Sequence, residues 1–231
     1  MRQNTQSVCA VIPAYNVAST LGAVLDGLHS TVPEMLCIVV DDGSADGTWE
    51  IAADRNAVLL RHQRNRGKGA SLRTGFSYAL DHGAKTILTI DGDGQHDPNE
   101  ATKLLAFLGN SNADVVLGNR MQNLHEMPFH RVLSNRITSA LVSFRTGMAI
   151  QDSQTGFRVF KSCILDGMDL KCRHFDMETE LLIKSAVGGF KIGAVSVDTI
   201  YHSNGVSSVS FADVWRFIHI YLRSFAWRST G

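Results

Sequence analysis

The chain has 231 residues, 44% of them hydrophobic and 19% charged, and its 22 basic and 22 acidic residues cancel. That is enough chain to bury one full core, and it is neither disordered nor collagen-like. A net charge of zero leaves no long-range drive toward nucleic acid. The four cysteines, Cys9, Cys37, Cys163 and Cys172, are irregularly spaced with no Cys-x-x-Cys pair. This argues against a zinc site or a disulfide scaffold and points to a reducing, cytoplasmic setting. The N-terminus MRQNTQSV is polar and no run of 18 apolar residues occurs, so neither a signal peptide nor a membrane span is expected.

Taken in order, short apolar runs alternate with helix-like stretches. VCAVI (8–12) reads as a buried strand, and residues 17–29 carry an apolar stripe at helical spacing. MLCIVV (35–40) is a second strand, closed by the turn-rich DDGSADGT, and is followed by a helix over 49–55 and a strand at 57–60. Helices over 69–82 and 99–108 flank the strand TILTI (86–90), and DVVL (114–117) is the fifth strand. A helix over 129–148, a strand at 155–160, a helix over 176–187 and a strand at 191–197 complete the body. Continuous apolar strands separated by helices indicate an α/β chain with a central, mainly parallel sheet flanked by helices. The polar clusters at 41–48, 62–69, 91–98 and 118–120 each follow a strand, so they are expected along one rim of the sheet. One domain is expected, with a nucleotide-binding half over about 8–120, an acceptor half over about 121–210 and a helical tail over 211–231.

Four constellations along that rim could carry chemistry. In DGDGQHD (91–97), Asp91, Asp93 and Gln95 are hard oxygen ligands suited to Mg²⁺ or Mn²⁺. An EF-hand loop starting at Asp91 fails, with His96 where glycine is needed and Thr102 where glutamate is needed. A haloacid-dehalogenase phosphatase would carry its Asp-x-Asp on the first strand, and a bare acidic turn is the remaining alternative. Asp41 and Asp42 end the second strand, where a carboxylate can hold a base or ribose, with Ser44 or Asp46 free to cap the next helix. Lys68, between two glycines at a helix start, is placed to meet a diphosphate. In the second half, Arg120 and Arg131 are candidate anion contacts with Ser134 beside them; Asp152, Arg158 and Glu178 are further candidates, each also readable as a structural ion pair.

The tail is different in kind. Residues 211–231 hold Phe211, Trp215, Phe217, Tyr221, Phe225 and Trp227, with Arg216, Arg223 and Arg228 against the single acid Asp213. Such a helix suits a membrane interface. Packing on its own domain or on a twin subunit fits the same pattern.

Together these motifs resemble the family 2 glycosyltransferases of the GT-A fold, close to the dolichol- and polyprenyl-phosphate sugar synthases. VIPAYN (11–16), VVDDGSADGT (39–48), NRGKGAS (65–71), DGDGQHDP (91–98) and GNR (118–120) occur in that family's order. RVLSNRITSAL (131–141), QDSQTGFRVF (151–160), FDMETELL (175–182) and VDTIYH (197–202) match its later blocks. The resemblance implies that Pro13, Ala14 and Tyr15 line the nucleotide with Asp42 and Asp41, that Lys68 approaches the donor, and that Asp91, Asp93 and Gln95 hold a divalent ion. It implies that Arg120, Arg131, Ser134 and Arg158 meet phosphate or acceptor, and that Glu178 is an acidic acceptor-side position. Many relatives read Tyr-Asn-Glu where Val17 follows Asn16 here, so that acidic donor contact is missing. The implied reaction is inverting transfer from a nucleotide-diphospho-sugar, with Mg²⁺ or Mn²⁺, to a polyprenyl phosphate, at the inner face of the cytoplasmic membrane. If the acceptor is instead a sugar hydroxyl of a polysaccharide or glycolipid, a base is needed, and Glu178 or Asp152 is the candidate. A catalytically idle sugar-nucleotide-binding subunit is the alternative from another class.

Overall fold

The computed structural model describes residues 7–122, 127–200 and 211–227. Arg228 and the end of the VDTIYH block lie outside them. In chain order the elements are β1 (Val8–Ala14), α1 (Ala18–Thr31), β2 (Leu36–Asp41), α2 (Thr48–Ala53), β3 (Val58–Arg61), α3 (Lys68–Asp81) and β4 (Thr86–Thr89). Then come α4 (Ala101–Asn110), β5 (Val115–Asn119), α5 (Phe129–Thr146), β6 (Arg158–Lys161), α6 (Asp176–Val187), β7 (Ile192–Ser196) and α7 (Phe211–Ser224).

The seven strands form one sheet in the order β3-β2-β1-β4-β6-β5-β7. All neighbours are parallel except that β6 runs antiparallel to both β4 and β5. The sheet buries both faces, which is why its strands read as unbroken apolar runs. Along β1, Cys9 and Val11 enter one core with Leu72, Phe76 and Phe160, whereas Ala10, Ile12 and Ala14 enter the other with Leu21, Leu25 and Leu28. This alternation is the pleat at work.

The chain leaves β1 for β2 on one side and returns through β4 on the other, so a crevice opens at the carboxyl end of β1. Ala14, Asp41 and the residues after Thr89 meet there. Because β6 is reversed, its amino end lies on the same rim: Arg158 pairs with Thr89 on one side and Leu117 on the other. The segment 155–157, expected as strand, is therefore a rim loop rather than the start of β6. Helix α5 stops at Thr146, two residues early, because Gly147 adopts a left-handed cap (φ 69°).

Candidate active site

The centre of the rim is a charge triad. Beyond β4, Asp91 holds the Lys68 ammonium at 2.7 Å (Oδ1) and 2.8 Å (Oδ2). The same ammonium lies 2.9 Å from Glu178 Oε1, at the first turn of α6. Burial opposes the charge on Lys68, but Asp91 and Glu178 outweigh it and hold its pKa well above the ordinary lysine value. Burial likewise opposes ionisation of Asp91, and Lys68 overcomes it, keeping that carboxyl below the usual range. Asp93 goes the other way. Burial and the neighbouring Asp91 charge raise its pKa, and its local compensation is one hydrogen bond from the Gln95 N–H at 3.0 Å.

A divalent cation fits this donor set. Asp93 is a carboxylate facing another carboxylate, the condition a cation relieves, and Lys68 already does so for one side of Asp91. Among the described residues no three His, Cys, Asp or Glu side chains converge for a metal. The chain thus offers two carboxylates with the Gln95 amide close by in sequence, leaving further ligands to water and substrate oxygens, as suits Mg²⁺ or Mn²⁺.

Glycines explain how the triad closes. A Cβ on Gly156 would sit 2.4 Å from Asp91 Oδ2, so the rim loop before β6 presses directly on the carboxylate. Thr89 fixes that loop by donating to the Gly156 carbonyl at 2.8 Å. At Gly67 (φ +96°) a Cβ would meet the Arg173 carbonyl at 2.4 Å, and at Gly69 it would meet Met177 at 2.7 Å. These two glycines let α3 and α6 touch and so carry Lys68 to Glu178. No phosphate cradle is needed to account for them.

Asp41 and Asp42, expected to hold the nucleotide, are 1% and 3% exposed. Asp41 Oδ1 accepts the Ser44 N–H at 2.8 Å, and Oδ2 lies 3.0 Å from Arg61 Nε. Asp42 accepts the N–H groups of Arg66 (3.0 and 3.1 Å) and Gly67 (2.7 Å). His62 Nδ1 is 2.6 Å from Asp42 Oδ1, and its Nε2 is 3.0 Å from Thr74 Oγ1. Both carboxylates tie the 61–67 segment to β2. Ser44 accepts from the Asn16 N–H at 3.0 Å and Asp46 accepts from the N–H groups of Ala18 and Thr48, whereas the N-cap of α2 is Gly47, without a side-chain cap. Of the residues at the end of β1, Ala14 is buried, Pro13 is half-buried and Tyr15 is exposed.

The acceptor side is built around Asp152. It holds Arg120 through Nε (2.7 Å) and Nη2 (2.9 Å) and accepts Asn135 Nδ2 at 2.7 Å. Burial opposes this charge, and Arg120 holds the Asp152 carboxyl below the ordinary range. The Asp152 side chain is fully buried and engaged by Arg120 and Asn135. Arg158, 1% exposed, donates to the carbonyls of Thr155 (2.7 Å), Glu178 (2.8 Å) and Ser153 (3.0 Å). It thereby ties the rim loop to α6 from beneath. Arg131 and Ser134 lie half-buried on α5, Ser134 within 3.4 Å of the Gln154 amide.

Sequence reading missed three participants. Phe175, over half exposed, sets its ring 5.4 Å from the Lys68 ammonium. His62 braces Asp42, and Gly156 abuts Asp91. An aromatic directly before the Asp-Met-Glu helix start was the available signal for Phe175; His62 and Gly156 carry none, since their partners are distant in sequence.

With this geometry in hand, the chain was compared with known proteins. The family model for glycosyl transferase family 2 matches residues 9–172. A polyprenol monophosphomannose synthase of Mycolicibacterium smegmatis is 28% identical over 91% of this chain and 83% of its own length. A UDP-N-acetylglucosamine–dolichyl-phosphate N-acetylglucosaminyltransferase of Methanococcus voltae is 29% identical, over 83% of this chain and 84% of that one. Among solved structures, a glucosyl-3-phosphoglycerate synthase of Mycobacterium tuberculosis, bound to Mn²⁺, uridine diphosphate and phosphoglyceric acid, superposes with a TM-score of 0.77. It covers 97% of this chain and 80% of its own at 18% identity, a likeness of fold: the sheet is that of a GT-A glycosyltransferase.

Proposed function

The chain belongs to glycosyl transferase family 2, and from that premise we propose that it moves a sugar from a nucleotide-diphospho-sugar to a polyprenyl phosphate, inverting the anomeric carbon. One observation carries the choice of acceptor. The two acids that would serve as a base for a hydroxyl acceptor are both engaged, Asp152 by Arg120 and Asn135 and Glu178 by Lys68. A phosphate acceptor arrives already ionised and requires no base. The lipid-phosphate relatives support the same reading.

The donor lies over the strand ends, near Tyr15 and the β4 loop. Asp91, Asp93 and Gln95 would hold a divalent ion, which when bound supplies Lewis-acid neutralisation of charge on the departing diphosphate. Lys68, clamped between Asp91 and Glu178, keeps a fixed positive charge beside those carboxylates and links donor side to acceptor side. On the acceptor side, Asp152 sets the plane of the Arg120 guanidinium, and Arg120, Arg131 and Ser134 orient the phosphate for attack opposite the leaving group. The phosphate oxygen forms its bond to the anomeric carbon as the bond to the nucleotide diphosphate breaks. The aromatic and basic α7 brings the enzyme to the membrane where such an acceptor resides.

The test is a panel of sugar nucleotides assayed with Mg²⁺ or Mn²⁺ and undecaprenyl or dolichyl phosphate, reading nucleotide release. Release that requires both lipid phosphate and metal is expected. Transfer to a free sugar hydroxyl without lipid phosphate, or donor binding without turnover, overturns the proposal.

A further inference from the structure

The Lys68 ammonium has three N–H donors, and three carboxylate oxygens surround it. Both oxygens of Asp91 lie at 2.7 and 2.8 Å, and Glu178 Oε1 lies at 2.9 Å. Asp93 differs, for among the described residues its hydrogen bond comes from the Gln95 N–H. The two carboxylates proposed to share one divalent ion thus stand in different states. One is open, and the other already carries a monovalent occupant. Asp91 has little freedom to turn. A Cβ at Gly156 would lie 2.4, 2.8 and 2.9 Å from its Oδ2, Cγ and Oδ1, so the rim loop covers one flat face of the carboxylate. Thr89 pins that loop through the Gly156 carbonyl at 2.8 Å.

Lys68 is the partner able to move. Its backbone is fixed, because Ala70 donates to the Arg173 carbonyl at 3.1 Å and a Cβ on Gly69 would meet Met177 at 2.7 Å. Its four-carbon stem is flexible, and its ammonium is a compact charge without the rigid fork of an arginine. Glu178 gives it a second anchor, and the Phe175 ring stands 5.4 Å away. An ammonium that lets go of Asp91 therefore keeps a carboxylate and an aromatic ring, and is not left as a buried charge without a partner. Exposure grades the same way. The Asp91 side chain is 24% exposed, against 13% for Lys68 and 8% for Glu178, so the open end of the triad is the Asp91 carboxylate and the retreat is inward.

We propose that Lys68 is the resident counter-ion of the cation site: a divalent ion reaches Asp91 by displacing the Lys68 ammonium, and Glu178 retains the ammonium when it leaves. This rests on the divalent-ion reading of Asp91 and Asp93, and deepens it by naming what the ion competes with. Two positive groups at one carboxylate repel each other strongly in a site this sheltered from water, so they exchange rather than share. Released from Asp91, Lys68 has two N–H groups to offer a phosphate oxygen, which it lacks while Asp91 holds them. The lysine thereby sets how tightly the site takes its ion.

Mn²⁺ alone is the probe, titrated into the full chain without donor or acceptor. Bound ion is counted by loss of the free-ion electron paramagnetic resonance signal. Lys68→Met should bind Mn²⁺ about 10-fold or more tightly than wild type. Losing a nearby positive charge tightens binding by itself, so Asp91→Asn is added in both backgrounds to isolate the competition. Displacement predicts a small loss of affinity from Asp91→Asn in wild type, where expelling the lysine offsets what Asp91 contributes, and a loss about 10-fold larger in Lys68→Met. Glu178→Gln keeps the lysine and gives a second reading should Lys68→Met fail to fold, which circular dichroism shows. It should weaken Mn²⁺ binding about 3-fold, because the ammonium then has Asp91 as its one carboxylate. A Lys68→Met protein no tighter than wild type, an equal Asp91→Asn loss in both backgrounds, or unweakened binding by Glu178→Gln overturns the proposal. No Mn²⁺ bound by any form, with or without a nucleoside diphosphate, overturns the metal reading itself. Bound Mn²⁺ that is indifferent to Lys68 overturns the displacement alone.

Discussion

Strands β2 and β4 flank β1 in parallel, and each runs out into two aspartates, Asp41 and Asp42 after one, Asp91 and Asp93 after the other. By residue type and topology the pairs are near twins, yet their surroundings are opposite. Asp41 and Asp42 are sealed from solvent, and their oxygens meet the N–H groups of Ser44, Arg66 and Gly67 together with Arg61 and His62. Asp91 and Asp93 are half-buried, one held by a lysine and the other left to repel its neighbour, which raises the Asp93 pKa. A strand-end carboxylate met by nearby donors can act as a structural clamp; one left beside another carboxylate can receive a cation. The difference lies in the supply of local N–H donors, since the residues themselves are the same.

The sharpest break of that symmetry is expected at Asp93. If Asp93 holds the proposed leaving-group ion, Asp93→Ala removes a ligand and turnover should fall by about 10²-fold or more. The fold should remain, because among the described residues the hydrogen bond of Asp93 is to the Gln95 N–H of its own loop. Near-normal turnover at saturating Mn²⁺, with wild-type circular dichroism, would contradict the assignment. At Asp42 the balance reverses. Asp42→Ala strands the N–H groups of Arg66 and of buried Gly67 and removes the partner of buried His62, costing about 3 kcal/mol of stability. For a chain of this size the midpoint of melting should drop by roughly 6–12 °C. Donor affinity measured well below that midpoint should change less than in Asp93→Ala. An Asp42→Ala protein that melts like wild type but has lost donor binding would erase the distinction.

How far the sequence reaches follows from the same comparison. The proposed ligands Asp91, Asp93 and Gln95 could be singled out because their pattern is local, three oxygen-bearing side chains within five residues after an apolar strand. The clamping role of Asp42 could not, because the amides that meet it stand 24 and 25 residues further on. The mainly parallel sheet and the common rim followed from apolar runs and polar clusters, yet the strand order and the reversal of β6 did not, since the four residues of β6 carry no mark of direction. The tail's stripe showed in its aromatics. On α5 the periodicity was equally visible, but which face points outward depends on Asn135 and Ser139 finding partners in the Asp152 loop.

Gly156 tests whether the Asp91 side is as sensitive to geometry as to charge. Gly156→Ala keeps every ionisable group but drives a methyl into Asp91 Oδ2, so the carboxylate must swing away from Lys68. Turnover should drop by about 10-fold, as expected when a positioned group is displaced by a fraction of an ångström. Melting should change little. Unaltered turnover would mean that the Asp91–Lys68 contact is incidental to the chemistry.

The smallest effect concerns a third carboxylate, which sharpens the clamp half of the comparison. Glu180, on α6 two residues beyond Glu178, is 1% exposed and accepts the N–H groups of Lys171 (2.9 Å) and Cys172 (2.8 Å) and the Lys184 ammonium (2.7 Å). Burial opposes its charge, but Lys184 and the two amides prevail and hold its pKa below the ordinary 4.5. A carboxyl with a depressed folded pKa contributes stability that is present above about pH 4.5 and is lost as pH falls through the folded value, because the unfolded chain takes up the proton first. If Glu180 is a clamp like Asp42, Glu180→Gln should cost about 1 kcal/mol at pH 7. It should also flatten the acid side of the stability curve, since the glutamine has no proton to gain. Turnover with a soluble acceptor should stay near wild type at pH 7, for Glu180 anchors residues 171–172 and not the Lys68 triad. Urea unfolding at pH 7 and at pH 4 checks the first two statements. Parallel curves for variant and wild type at both pH values would show that its bonds, though formed, do not hold this segment in place.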